Sequence, residues 1–310
     1  MQSTEEIFYG DRGESFKNIV TNVLKKSNIK PKYIKILTSE ENLSKYADVF
    51  TSASVDPINN YEVYEQLGDI TANKFIVCYA YKRFPCLKNT EGVKIVARLR
   101  INYGARASFQ KIGEDLQFWD LISAEVEERA RKKKDLLEDC FEAFIGCTEY
   151  ILDEQFMPGV GYNVVYSLLE SIFNKIPMFL AYNKLYDAKT RLKELFDTHH
   201  TIIGSWKFIE EPRTKEDTTC VSRVYQIPVG SSNKSPMVST TLINNDQRTK
   251  NSPRSDWVCI GEGVSCKKSD AQQKAAQNAL NSLHQQGFRK EIHPHYLKFE
   301  KAENQDSWNK

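Results

Sequence analysis

The stretch Tyr61-Glu62-Val63-Tyr64-Glu65-Gln66-Leu67-Gly68-Asp69 places three carboxylates at i, i+3 and i+7. On a helix these share one face. A second stretch, Asp135-Leu136-Leu137-Glu138-Asp139-Cys140-Phe141-Glu142-Ala143-Phe144-Ile145-Gly146, sets Asp139 and Glu142 at i, i+3 inside an otherwise apolar run. Acids at helical spacing are commonly a solvated face, and that reading competes for either stretch taken alone. It fits the second poorly. Leu136, Leu137, Cys140, Phe141, Phe144 and Ile145 surround the two acids, so this helix is apolar nearly all round and belongs in an interior. Buried carboxylates require partners, and no basic residue lies between Asp139 and Asp153. The simplest partner for two inward acidic edges is a shared cation.

At these residues the sequence resembles the ribonuclease III family of double-stranded-RNA endonucleases. The family signature Glu-x-Leu-Glu-Phe-Leu-Gly-Asp aligns without gaps on Glu62 to Asp69, and its second acidic motif, Asp-x-x-Glu-Ala-hydrophobic-Ile-Gly, on Asp139 to Gly146. The approach Phe50-Thr51-Ser52-Ala53-Ser54 and then Asn60-Tyr61-Glu62 is also similar, and the likeness covers most of residues 15–175. The resemblance implies an all-α catalytic domain whose metal-binding set is Glu65, Asp69, Asp139 and Glu142, with Glu62 auxiliary. It implies Mg2+ as cofactor, with Mn2+ as a substitute. It further implies a homodimer in which each site cuts one strand of a duplex, leaving 5′-phosphate ends and short 3′ overhangs. One position departs from the pattern: the aromatic that projects into a socket on the partner subunit is Gln66 here. Losing a buried aromatic side chain weakens packing by several kcal/mol, so a homodimer with an altered junction is expected. Val63 and Tyr64 also depart from the signature, with less consequence.

With 310 residues and 40% hydrophobic content, the chain can build roughly two domains with cores of their own. The formal net charge of +2 is near neutral, so any basic surface for a polyanion must be local. None of the seven cysteines forms a Cys-x-x-Cys pair, which argues against a zinc or redox motif and for reduced thiols. Cys140 and Cys147 read as small core residues. The N-terminus lacks a basic start followed by an apolar run, and no segment approaches the length of a membrane-spanning helix. The expectation is an intracellular protein, cytoplasmic or nuclear, with no membrane contact.

Apolar spacing predicts a helix over 15–28, and capping side chains at Asp56 and Asn60 open the signature helix, expected from about Tyr61 to Lys82 and ending near Phe84-Pro85. Gly68 inside a helix costs about 1 kcal/mol against alanine, which points to another helix packed closely there. Nothing in this half alternates like a strand. Lys94, Arg98, Arg100, Arg106 and the run Arg129 to Lys134 are basic enough to touch phosphates, although such runs are usually solvated faces. A helix over about Val164 to Phe173 completes the first domain.

From Asp187 the pattern changes to an amphipathic helix, strand-like stretches at Ser205–Ile209, Cys220–Pro228 and Asp256–Ile260, and a final alanine-rich helix. The stretch from Gly261 through Lys267-Lys268 to Ala271 resembles the C-terminal half of a double-stranded-RNA-binding domain. In that family, lysines opening the last helix grip phosphates, where a helix N-terminus already favours anions. Lys267 and Lys268 are the candidates, one residue further from Ala271 than is usual. The region around Pro212-Arg213-Thr214-Lys215 stands where the family carries a histidine-containing loop, and Arg213 and Lys215 are further RNA-binding candidates. His199 and His200 read as loop residues. The expected organisation is a catalytic domain at 1–175, a linker at 176–186, and a small α+β (α-β-β-β-α) RNA-binding domain at 187–286 with a polar insertion at 231–255. A tail follows at 287–310.

Phosphodiester hydrolysis needs a nucleophile, charge neutralisation at the phosphate and support for the leaving oxygen, all of which two hard cations supply. Mg2+ prefers oxygen ligands, matching clustered carboxylates. A serine or cysteine nucleophile would need a partnered histidine, and all five histidines lie at or after residue 199, outside the acid-bearing half. The leading reading is a Mg2+-dependent double-stranded-RNA endoribonuclease acting in RNA processing. The alternative is a duplex-RNA-binding or sequestering protein, a silencing suppressor or ribosome-associated factor, which cuts little or not at all. The full acid set favours the first, since binding alone does not require it.

Overall fold

In a computed structural model of the protein the described residues are 6–211, 219–231 and 253–303. They fall into two compact units, the first running to Phe179 and taking in the described residues from Phe299 on, the second running from Leu180 to Lys298.

The first unit is predominantly helical: α1 (Glu14–Lys25), α2 (Pro31–Leu37), α3 (Glu40–Val49), α4 (Glu62–Arg83), α5 (Thr90–Tyr103), α6 (Arg106–Asp115), α7 (Val126–Gln155) and α8 (Val160–Phe173). The signature helix, α4, starts where the Asn60 side-chain oxygen accepts from the Glu62 N–H at 3.0 Å, and it stops where Pro85 turns Phe84 out of helical backbone. Its companion α7 runs through the middle of the unit, bent at Lys132, with every residue from Cys140 to Thr148 buried. Beneath it Phe50, Phe118 and Phe144 pack with ring centroids 4.9–6.4 Å apart. A polar tie in this core is closed: Tyr46 and Thr148 share a hydrogen bond of 2.7 Å. Ser52 and Ser54 both donate to the Glu128 carboxylate at 2.8 Å, which moors the approach to α4 against α7.

The expectation of a purely helical half needs one correction. Residues β1 (Ile7–Phe8) and β2 (Ala124–Glu125) pair antiparallel. Two-residue strands are too short to show alternation, and their partners lie more than a hundred positions apart, so no local pattern announces them.

The second unit holds a helical turn α9 (Tyr182–Leu185), then α10 (Ala188–Ile203), β3 (Ser205–Glu210), β4 (Cys220–Ile227), β5 (Val258–Ser265) and α11 (Lys268–Gln285). A last helix, α12 (Pro294–Glu303), closes the described chain. The strands form an antiparallel meander in the order β3-β4-β5, with an irregularity at Val224/Tyr225. Leu192, Leu195, Phe196 and Val224 join Ala275, Ala276 and Ala279 in one core, so α10 and α11 cover one face of the sheet. The third strand continues five residues beyond the Ile260 expected from sequence. Gly261 and Gly263 weaken its strand signal, yet a Cβ on either would lie 2.3 Å from Ala275 O or 2.1 Å from Ala271 O. Their bareness is what lets α11 lie on the sheet.

His199 and His200 also differ from expectation. They lie within α10 rather than in a loop, with non-helical backbone at His199.

Candidate active site

The site is built where α4 crosses α7. A Cβ on Gly68 would stand 1.8 Å from the Glu142 carbonyl oxygen, and one on Gly146 would stand 2.0 Å from that of Tyr64. The two backbones therefore touch, which is the close packing expected from Gly68. That contact presents Glu65 and Asp69 of α4 toward the α7 side that bears Asp139 and Glu142, with Glu62 beside Glu65. Burial rises across the set: Glu62 and Asp69 are exposed, Glu65 and Asp139 half-buried, and Glu142 only 5% exposed.

The electrostatics show that the carboxylates sense one another. Burial first, then the charges of Asp69 and Glu62, hold the Glu65 carboxyl above its usual range. Asp139 is pushed up to about 7 by burial, then by Glu65 and Glu138, although the Tyr61 hydroxyl donates to it and opposes the rise. Glu142 is pushed up to about 9 by burial, followed by Asp69, Glu138, Glu65 and Asp139. These shifts run in one direction because like charges meet in a partly dry place. Among the described residues no hydrogen bond or ion pair reaches the Glu142 side chain. Asp69 is steadied by the Asn73 side-chain amide, which donates to it at 2.7 Å.

The donor set fits a hard divalent cation. It is oxygen only, and a positive ion there would relieve the protonation that burial and repulsion impose on Asp139 and Glu142. These acids do not bring three ligand oxygens within 4.8 Å of one another, as expected of facing like charges with no counter-charge between them.

At the rim, Glu138 escapes the sequence reading, and Arg106, read there as a phosphate contact, is paired with carboxylates instead. Glu138 precedes Asp139 and shares a helix face with Asp135 and Glu142, and Arg106 joins it. Arg106 Nη1 binds Asp135 at 2.7 Å and its Nε binds Glu138. The signal in the sequence is the i, i+4 spacing of Glu138 and Glu142; the arginine comes from 32 positions away and has no local mark.

The other basic candidates divide. Arg129 is a buried structural residue, 3.9 Å from the Phe8 ring centroid and 4.0 Å from that of Trp119, with its guanidinium donating to the carbonyls of Ile122 and Trp119. Arg131, Lys132 and Lys133 pair with Glu127, Glu128 and Glu114. A run that reads as a phosphate grip is thus largely self-neutralised. Lys267 caps α11 and Lys268 opens it, both exposed, with Lys268 paired to Glu210 at 2.7 Å. Arg213 and Lys215 lie outside the described residues, as does most of the expected polar insertion. Gln66 is exposed on α4 beside exposed Val63, Leu67 and Ile70. No helix of the described residues is long and apolar enough to cross a membrane.

No family model matches the chain. A protein of Invertebrate iridescent virus 6, provisionally named ribonuclease 3, is 37% identical over 289 residues, which cover 89% of this chain and 90% of that protein. A second with the same provisional name, from Frog virus 3 (isolate Goorha), is 41% identical over 185 residues, or 59% of this chain and 49% of that protein. The ribonuclease 3 of Limosilactobacillus reuteri (strain DSM 20016) is 28% identical over 252 residues, covering 78% of this chain and 91% of its own length. A similarity that runs the length of both chains takes in the two acid-bearing helices and the small sheet alike, and the chain belongs to the ribonuclease III family.

Proposed function

We propose that this protein is a Mg2+-dependent endoribonuclease that hydrolyses double-stranded RNA to 5′-phosphate fragments with short 3′ overhangs. The observation that carries the reading is the acid cluster across the α4–α7 contact, with Glu142 buried and unpaired among the described residues. An RNA-binding protein gains nothing from such a cluster, which costs stability unless a cation fills it. Glu65, Asp69, Asp139 and Glu142 would hold the metal, which supplies an activated water and neutralises charge at the scissile phosphate. Glu62, exposed at the start of α4, is placed to orient groups at the edge. Tyr61 holds the Asp139 side chain through its hydroxyl. Arg106 restrains Asp135 and Glu138 at the rim. The test is cleavage of a long labelled RNA duplex with and without Mg2+, reading fragment ends on a sequencing gel. Metal-dependent cuts with 3′ overhangs are expected; tight binding with no cuts at any metal concentration would favour the sequestering alternative.

The second unit serves in this proposal as a double-stranded-RNA-binding domain. Its α-β-β-β-α order and the exposed Lys267 and Lys268 at the start of α11 support the assignment, and Arg213 and Lys215 are assigned to the same contact. The Lys268–Glu210 pair joins an exposed lysine to a half-buried carboxylate and is worth about 1 kcal/mol, so a phosphate can displace the carboxylate. Replacing Lys267 and Lys268 together with alanine is expected to weaken duplex binding and to reduce the slope of log K against log salt by about 2, roughly one per lysine. Unchanged affinity and slope would remove the role assigned to them.

The working unit is proposed to be a homodimer. Val63, Leu67 and Ile70 form an exposed apolar strip around Gln66 that a second copy would cover, leaving the glutamine at an altered junction. Light scattering at micromolar concentration should give twice the chain mass; the mass of one chain would contradict the proposal.

A further inference from the structure

The second unit carries a cavity of about 290 Å3 between α9, the N-terminal half of α10, the C-terminal half of α11 and the segment after it. The segment is folded back by Gly287 at φ +91°, where Phe288 N–H donates to the Leu283 carbonyl at 3.0 Å and the His199 ring bonds the Arg289 carbonyl at 3.0 Å. This turn sets Arg289 and Lys290 against Arg191 of α10 and His284 of α11. Three side-chain cations thus line one small space.

Their bonding leaves positive charge in excess. Lys290 pairs with Glu194 at 2.8 Å, and the Tyr182 hydroxyl donates to the same carboxylate. Arg191 donates from one terminal nitrogen to Gln277 at 2.7 Å, but its Nε is buried with no partner. No bond or ion pair among the described residues engages the Arg289 guanidinium. Burial first, then the charges of Arg289 and Arg191, holds the His284 imidazole below its ordinary value. Three cations against one carboxylate leave an excess of two, which matches the charge of about −1.5 to −2 on a phosphate monoester at pH 7. The rest of the wall is the Tyr182 ring with Leu195, Leu280 and Ile292, and one polar residue, Asn183. Such a mix of apolar wall and a few convergent polar groups suits an organic body carrying one anionic group.

We propose that this cavity binds a nucleoside 5′-phosphate, either free or as the 5′-terminal nucleotide of an RNA strand. Arg191 and Arg289 hold the phosphate, and the apolar wall receives the nucleoside. The site is separate from the lysines opening α11: sixteen residues from Lys268 to His284 at about 1.5 Å each place it roughly 24 Å further along the helix.

The test uses the full chain in EDTA, so that cleavage is silent. Titrated by calorimetry, adenosine 5′-monophosphate should saturate at one per chain, with adenosine at least tenfold weaker. Arg289→Gln and, separately, Arg191→Lys should each weaken the nucleotide at least tenfold without moving the thermal unfolding curve. Two duplexes that differ only in a 5′-phosphate or 5′-hydroxyl separate the sources. Tighter binding of the phosphorylated duplex, lost in Arg289→Gln, assigns the site to RNA ends, whereas equal affinity assigns it to the free nucleotide. The proposal is overturned if the nucleotide fails to bind and the duplex affinities are equal. It is overturned equally if both variants bind the nucleotide as the unaltered protein does.

Discussion

Glu142→Gln is expected to abolish cleavage while leaving duplex binding intact. The substitution keeps shape but removes the most buried carboxylate of the cluster. If a cation loses one ligand and about 4 kcal/mol of charge stabilisation in the transition state, turnover falls roughly 10^3-fold. The same change has a second signature in the metal-free protein. The folded-state value of Glu142, about 9, lies above its ordinary 4.5. The folded chain therefore keeps a proton that the unfolded chain releases, and stability falls as pH rises between those values. Asp139 acts in the same direction from 3.8 to about 7. In EDTA the unfolding midpoint, followed by circular dichroism, should drop by at least about 5 °C from pH 5 to pH 8, a loss of about 2 kcal/mol or more. Glu142→Gln should remove most of that drop. Mg2+ should raise the midpoint at pH 8 in the unaltered protein far more than in the variant. A variant that still cuts would end the role given to Glu142, and a midpoint indifferent to pH would mean that the carboxylates do not crowd.

Gly146→Ala is expected to be among the most damaging single methyls in the first unit. Alanine favours a helix over glycine by about 1 kcal/mol, so propensity alone predicts a more stable protein. Packing opposes it: the new Cβ would lie 2.0 Å from Tyr64 O and 2.7 Å from Gly68 N. Both are backbone atoms, and no flexible side chain can yield, so the helices must separate. Overpacking of this kind costs about 3 kcal/mol or more, and the unfolding midpoint should fall by roughly 6–12 °C. Where the variant is still folded, displacement of one acid-bearing helix from the other by about 1 Å should cost on the order of 10^2-fold in cleavage. Gly159→Ala is the control, since that glycine sits at φ +95° with nothing within 4 Å of its missing Cβ. Its cost is backbone strain of about 1 kcal/mol, with cleavage retained. Equal losses in the two variants would refute the packing argument.

Much of the site is legible in the residues alone. Glu62, Glu65 and Asp69 reveal a face because a helix repeats every 3.6 residues, and Asp139 and Glu142 reveal an inward edge because their neighbours are apolar. Gly68 reads as a contact because glycine is costly in a helix without one. Glu138 stays hidden because its importance rests on Arg106, which reaches it from another helix. Arg129 sits in a run of like charges, yet β1 and Trp119 close over it. The third strand of the second unit reads short because its glycines serve the helix above them and not the strand.

Helix positions, apolar stripes and the choice of oxygen ligands are local properties, set by side-chain type and spacing within a few turns, and the chain carries them openly. The depth of Glu142, the mutual crowding of the acids, the diversion of Arg106 and Arg129 and the cavity beside Arg191 arise from segments far apart in sequence. They depend on backbone separations and desolvation, which have no value until the α4–α7 crossing and the fold-back at Gly287 have formed.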